Sequence, residues 1–265
     1  MPELPEVETA RRRAERHLGG RRIVEVGAAH DPLVFEGIGP RRFAAALRGR
    51  RVVAVRRRGK HLWMELDRRP YPMFHFGMSG AFALYRDGEP RPRFCKVELA
   101  VEGGRRLALS DPRRFGRIRL QRDPERERPL AGLGFDVLEE LPPARDLVPV
   151  LSRRAAPVKA VLLDQSLFAG VGNWIADEVL YQAGLDPRRP ASSLSREEVG
   201  RLRARTRAVV RRAVSVDADA ARFPRTWLFH HRWGREDGAR TARGEPIVHL
   251  TVGGRTTAWV PSRQH

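Results

Sequence analysis

The stretch KAVLLDQSLFAGVGNWIADEVLYQAGLDP, Lys159–Pro187, reads as a helix, a tight glycine turn and a second helix. Asn173 stands where a helix N-cap belongs and Gly184 where a left-handed stop belongs. A G-x-G-N turn running into a helix start presents backbone N–H groups, an arrangement that suits a phosphate. Lys159 and Asn173 are therefore candidates to touch one polyanionic strand, although such a helical hairpin can also be purely structural.

Downstream the helical period continues. LSREEVGRLRARTRAVVRRAV (194–214) is long and basic on one face, and Ser195 with Glu198 has capping-box spacing. Residues 244–260, GEPIVHLTVGGRTTAWV, read as a β-hairpin turning at Gly253-Gly254. Upstream, residues 122–145 are rich in Pro, Gly and charge and read as a linker. Before them the texture is strand-like: RRVVAVRRR, KHLWMEL, CKVELAV, RRLALS and GRIRL are short alternating runs separated by Gly, Pro and Asp. Residues 5–18, PEVETARRRAERHL, place Val7, Ala10, Ala14 and Leu18 at helical spacing, with Pro5 in the first turn and Gly19-Gly20 at the end. The pattern predicts an α+β protein: a helix and a β-sandwich first, then a helical domain with an appended hairpin.

The chain has 265 residues, enough for one large domain or two ordinary ones, and its 41% hydrophobic content excludes wholesale disorder. No apolar run approaches the roughly 18 residues of a membrane span. Nothing suggests export, so an intracellular setting, cytoplasm or nucleoid, is expected. Cys95 is the only cysteine, which excludes a disulfide framework and a zinc site built on two or more thiolates; it reads as a buried small hydrophobe. Lys+Arg number 51 against 32 Asp+Glu, a net charge of +19 that calls for a polyanionic partner. Nucleic acid is the leading candidate and an anionic membrane surface the alternative. Only three of the 51 basic residues are lysines, Lys60, Lys96 and Lys159.

The chain opens MPELPEVET. Removal of Met1 leaves Pro2 as a secondary α-amine, which titrates near neutrality and so has an uncharged nucleophilic fraction at pH 7. Glu3 and Glu6 lie close in sequence, suited to a general acid and a substrate-positioning carboxylate. The plainer reading is that acidic residues complement a helix N-terminus. Lys60, just before the strand HLWMEL, is either a phosphate grip or one more solvated charge. FHFGMSG places Met78 in a glycine-flanked turn, and DPRRFG carries Arg113 and Phe115. A Met, an Arg and a Phe exposed on neighbouring loops could wedge a duplex and fill the gap left by an extruded base, though Met and Phe are more often core residues.

Taken in order, PELPEVE, the RRxGK hairpin, FGMSG, DPRRFG and LLDQ…GVGNWIADEVLY resemble the formamidopyrimidine-DNA glycosylases and the related endonuclease VIII enzymes, from Pro2 to Gln264. The resemblance implies a domain of residues 1–130 with the catalytic groups, a linker 131–145, a helix–two-turn–helix domain 146–225 and a finger hairpin 226–265. It implies a bifunctional DNA glycosylase/AP lyase of base excision repair, acting as a monomer on duplex DNA with damaged bases or abasic sites. Pro2 would attack C1′ to form a Schiff base, Glu3 would protonate the opening sugar, Glu6 would position the substrate and Lys60 would bind the phosphate at the lesion. β,δ-Elimination would then cut the strand. Met78, Arg113 and Phe115 would fill the hole, and Lys159, Asn173 and Arg255 would hold the backbone. Excision of oxidised pyrimidines and a catalytically silent binder of damaged DNA are the alternatives; intact Pro2 and Glu3 speak against the second.

The departure lies at the C-terminus, where the four cysteines of the family's zinc finger are matched by Ala239, Ala242, Val260 and Arg263. This resembles the zincless finger of the plant-type branch, so no cofactor is expected. Packing by Ile247, Leu250 and Trp259 would replace the metal, and His230, His231 and His249 lack the thiolates of a zinc site. SVDADAARFPR (215–225) is short for the loop that caps 8-oxoguanine in longer members, which predicts a preference for ring-opened purines.

Overall fold

The computed structural model describes residues 2–233 and 238–265. Met1, whose removal frees the Pro2 amine, lies outside them. The chain forms two compact units: residues 1–2 with Glu6–Gly132, and Glu3–Pro5 with Leu133–His265.

Helix α1 (Leu4–Leu18) belongs to the first unit from Glu6 onward and is followed there by β1 (Ile23–Ala28), α2 (Pro40–Leu47), β2 (Val52–Arg58), β3 (His61–Leu66), β4 (Tyr71–His75), β5 (Ala81–Arg86), β6 (Cys95–Val101), β7 (Arg105–Ser110) and β8 (Arg117–Gln121). The strands build two four-stranded sheets, ordered β1-β6-β7-β5 and β2-β3-β4-β8. Their inner faces share one core in which Leu99, Leu107 and Leu109 of one sheet meet Leu62, Phe74 and Ile118 of the other. The sheets touch where Phe82 meets Phe74 and Phe76 edge-on at 5.3 and 4.9 Å. Val7, Ala14 and Leu18 put the predicted apolar face of α1 into this core. A register shift between Val52 and Ala54 sends both Val52 and Val55 inward and leaves Val53 in solvent. Cys95 is half-buried rather than a core residue.

In the second unit the expected linker 131–145 is not free chain. β9 (Phe135–Asp136) pairs in parallel with β10 (Phe168–Ala169), and α3 (Ala144–Leu151) begins inside the segment. Its Pro and Gly serve tight local turns rather than flexibility. Then come α4 (Val158–Leu163), α5 (Asn173–Ala183) and α6 (Arg196–Ser215), the last closed by the Ser195–Glu198 capping box. Gly184 caps α5 with φ 71°, as expected, but the N-cap is Gly172 and Asn173 is the first helical residue. α5 is also not amphipathic: every residue from Trp174 to Tyr181 is buried, Asp177 and Glu178 included.

The hairpin β11 (Val248–Val252) and β12 (Arg255–Trp259) turns at Gly253-Gly254 and packs in this unit through a small core of Tyr181, Leu228, Ile247, Ala258 and Val260. Leu250 and Trp259, expected there, are only half-buried; the strand pleat points Ala258 inward instead. Two of the positions without cysteine, Ala239 and Val260, are apolar packing residues here. A third, Arg263, lays its guanidinium 4.8 Å from the Tyr181 ring and donates from Nε to the Tyr181 carbonyl. Among the described residues no group of His, Cys, Asp and Glu could hold a metal ion, and no helix is long and apolar enough to cross a membrane.

Candidate active site and nucleic-acid interface

Pro2 and Glu6 line one pocket of about 320 Å³, walled by Arg13 of α1 and by Phe76, Phe82 and Leu84. Glu6 lies in the first turn of α1, and Pro2, two residues ahead of the helix, lines the same space. The structure thus brings together the two groups that the sequence placed only near each other. Arg13, which supplies a positive charge to that wall, was not among the expected residues.

Lys60 lies in the turn between β2 and β3, next to a pair of stacked imidazoles. His61 and His75 are register partners across β3 and β4, with ring centroids 4.7 Å apart. Burial first, then the charges of His75, Arg119 and Lys60, push His61 down to about 3. Burial, then Lys60, Arg119 and Arg117, push His75 down to about 4. Both rings are therefore neutral at pH 7, and His75 Nδ1 accepts a hydrogen bond from the Gly77 N–H at 3.2 Å. That bond leads straight into the turn that carries Met78.

Met78 and Phe115 are exposed, 38% and 46%, as a wedge requires and a core residue does not. Their loops are locked together. Gly77 has φ +59°, and a Cβ there would collide with the backbone of Phe115. The buried Asp111 carboxylate accepts from Ser79 Oγ at 2.8 Å, from the Arg113 N–H at 3.2 Å and from the Gly116 N–H at 2.7 Å. Arg113 rests its guanidinium 5.1 Å from the Phe115 ring. Arg114, at φ 59°, turns the other way and grips Asp31 with two hydrogen bonds of 3.0 Å. Asp31 also takes Lys96 at 2.9 Å, and despite burial these cations hold its carboxyl at about 2. Asp111 was missed in the sequence, although an Asp opening a Pro- and Gly-containing turn is a known device for holding backbone N–H groups.

In the second unit, Glu3 is buried, and its two carboxylate oxygens accept the N–H groups of Trp174 and Ile175 at 2.9 and 3.1 Å. This corrects the expectation for the G-x-G-N turn: the first N–H groups of α5 hold Glu3 and are not free for a phosphate. Leu4 follows, donating its N–H to the Gly170 carbonyl and burying its side chain in the core of this unit. Asn173 is half-buried and donates from Nδ2 to the Thr256 carbonyl at 2.9 Å. Arg255 is exposed immediately after the hairpin turn.

Lys159 is not at the surface. Its side chain is 0% exposed, paired with Asp177 at 2.6 Å, and it donates to Thr257 Oγ1 at 2.7 Å and to the Thr256 carbonyl at 3.1 Å. Burial pulls its ammonium below the usual lysine range against the opposing pull of Asp177. Contrary to expectation, the ammonium is directed at protein groups and not toward a phosphate at the surface. Its partner Asp177 lies 18 residues further along, on the buried helix α5.

Comparison with known proteins shows the family. The formamidopyrimidine-DNA glycosylase N-terminal domain matches residues 1–118, and the H2TH domain of the same enzymes matches residues 133–225. A formamidopyrimidine-DNA glycosylase of Arabidopsis thaliana is 40% identical over all of this chain and 71% of its own length. The crystal structure of the MutM (Fpg) protein from Thermus thermophilus superposes with a TM-score of 0.80 at 38% identity, covering 99% of this chain and 98% of that one. The Lactococcus lactis enzyme, crystallised non-covalently bound to DNA containing an AP site, gives 0.85 at 25% identity and covers 99% of both chains. The chain belongs to the formamidopyrimidine-DNA glycosylase family.

Proposed function

We propose that the protein is a bifunctional DNA glycosylase/AP lyase of base excision repair that removes oxidised purines from duplex DNA. The observation that carries this reading is the shared pocket of Pro2 and Glu6, with Glu3, the next residue after Pro2, clamped by two backbone N–H groups. The uncharged Pro2 nitrogen attacks C1′ of the damaged nucleotide; the sugar ring opens, the base leaves with a proton, and an iminium links Pro2 to the sugar. Glu3 supplies the proton to the ring oxygen and Glu6 orients the sugar. β- and δ-elimination then cut the strand, and water releases Pro2. Lys60, Asn173 and Arg255 grip phosphates, while Met78, Arg113 and Phe115 occupy the space of the everted nucleotide.

The same reading takes the enzyme to work as a monomer inside the cell and without a cofactor, because its electrophile-trapping group is its own N-terminal amine. Ring-opened purines are preferred over 8-oxoguanine. Supporting this, the segment after α6 closes quickly: Asp217 and Ala218 have φ of 56° and 52°, and Asp219 caps the Ala221 N–H. Excision rates on matched duplexes check the preference, and equal or faster release of 8-oxoguanine overturns it.

Borohydride trapping on duplexes carrying Fapy-guanine, 8-oxoguanine or an abasic site tests the mechanism, with the mature N-terminus verified by mass spectrometry. A covalent adduct lost in Pro2→Gly is expected. No adduct from protein that has a free Pro2 and binds the duplex would leave only a silent binder.

A further inference from the structure

Inside the second unit, three buried charges meet at Asp177. One oxygen pairs with Lys159 at 2.6 Å; the other pairs with Arg232 Nη2 at 2.6 Å and accepts the Ala258 N–H of β12 at 3.1 Å. The side chains of Asp177 and Lys159 are 0% exposed and that of Arg232 5%, so all three are buried. Burying charges is costly unless every one is paired and its hydrogen bonds are directed, and here they are directed at one strand. Lys159 donates to Thr257 Oγ1, and that hydroxyl donates to the Arg255 carbonyl at 3.1 Å. Lys159 also donates to the Thr256 carbonyl, which is the acceptor for Asn173 Nδ2. One ammonium therefore stands behind both residues assigned to phosphate on this unit.

We infer that Lys159 and Asp177 are positioning residues for phosphate recognition, setting Asn173 and Arg255 in one frame through Thr256 and Thr257. This rests on the reading that Asn173 and Arg255 grip DNA. The arrangement also gives the hairpin a directed anchor built from side chains: a carboxylate and an ammonium fix the backbone of residues 255–258 from below. Direct contact and indirect support differ in what they leave behind. A structural role alone changes stability; a positioning role also removes a phosphate contact, and that contact has a salt signature.

Two variants separate these. Thr257→Val keeps the volume and all three charges but cuts the hydroxyl link to Arg255. Lys159→Met keeps the volume and leaves Asp177 balanced by Arg232. Dissociation constants are measured against salt on a duplex with a tetrahydrofuran abasic-site analogue, alongside Arg255→Ala and the Thr257→Val/Arg255→Ala double variant. Each single variant is expected to bind roughly tenfold more weakly, with a salt slope lower by about 1. The double variant should bind as Arg255→Ala does, because both changes remove the same contact. If Lys159→Met does not fold, Thr257→Val still decides.

Wild-type affinity and slope in the Thr257→Val variant, or losses that multiply in the double variant, would overturn the inference while leaving the glycosylase reading intact. A wild-type protein that neither binds the duplex in a salt-dependent way nor traps on it would overturn both.

Discussion

The Glu3 carboxylate fills the space that a side chain at Gly172 would need. A Cβ built on Gly172 collides with Glu3 Cδ, and Glu3 has no easy retreat because both of its oxygens are held by Trp174 and Ile175 N–H groups. Gly172 has extended backbone angles that any residue can adopt, so what it supplies is room.

Gly172→Ala should therefore act through Glu3. With Glu3 displaced by about an ångström, single-turnover excision is expected to fall on the order of 100-fold. Rapid-quench kinetics on a lesion duplex measures it. Wild-type rates would show that the acid tolerates another seat.

Asp111→Ala removes the acceptor shared by Ser79, Arg113 and Gly116. Leaving buried donors without a partner should cost about 1–3 kcal/mol in denaturant unfolding. Excision from duplex DNA is expected to drop roughly tenfold as Met78 and Phe115 lose their fixed bearing. Cleavage of an abasic site in single-stranded DNA, with no opposite base to support, should be spared. Equal losses on both substrates would detach this loop from gap filling.

Glu178 is fully buried, and burial raises its carboxyl to about 7. The folded state holds a proton that the unfolded chain, near 4.5, has already released. Stability from this group is whole below about pH 4.5 and drains away as pH rises through 7, by about 3 kcal/mol in all. Glu178→Gln keeps an acceptor for the Phe229 N–H, so its loss between pH 5 and pH 8 should be smaller than wild type by about that amount. Parallel pH profiles of unfolding free energy would refute this.

The stacked histidines have the opposite pH sense. As pH falls below 6.5 the unfolded imidazoles take protons that the folded ones refuse until about 4 and 3. Stability is lost over that window at about 1.4 kcal/mol per pH unit for each ring. His61→Phe removes one ring's share, narrowing the difference in unfolding free energy between pH 7 and pH 4.5 by about 2–3 kcal/mol. An unchanged difference would mean that another group governs acid unfolding.

Local pattern carried much of the architecture. Alternation in RRVVAVRRR and CKVELAV, Ser195 with Glu198, and glycines 184, 253 and 254 each announced an element that the structure contains. Pro2 with Glu6 in one pocket, and Met78 with Phe115 in solvent, agree with expectations drawn from a few adjacent residues. The errors have a common physical origin in distant partners. Asp177 and Glu178 carry no local sign of burial, because Arg232 and the Phe229 N–H, which they meet, lie more than 50 residues away. Lys159 reaches its acceptors at Thr256 and Thr257 across 97 and 98 residues, and Glu3 finds its donors only after 171 and 172 residues. No window along the chain contains such pairs.

The membership of Glu3, Leu4 and Pro5 in the second unit has a consequence for how the molecule comes to be made. Glu3 precedes its donors by 171 and 172 residues, and Leu4 likewise stands far ahead of the Gly170 carbonyl, so both leave the ribosome well before their partners. The sandwich can assemble around residues 6–132 while the three-residue N-terminal segment waits. The second unit, in turn, starts α5 without an acceptor for its leading N–H groups until that segment arrives. The order of synthesis thus leaves the Glu3 carboxylate without its two donors until Ile175 has been made.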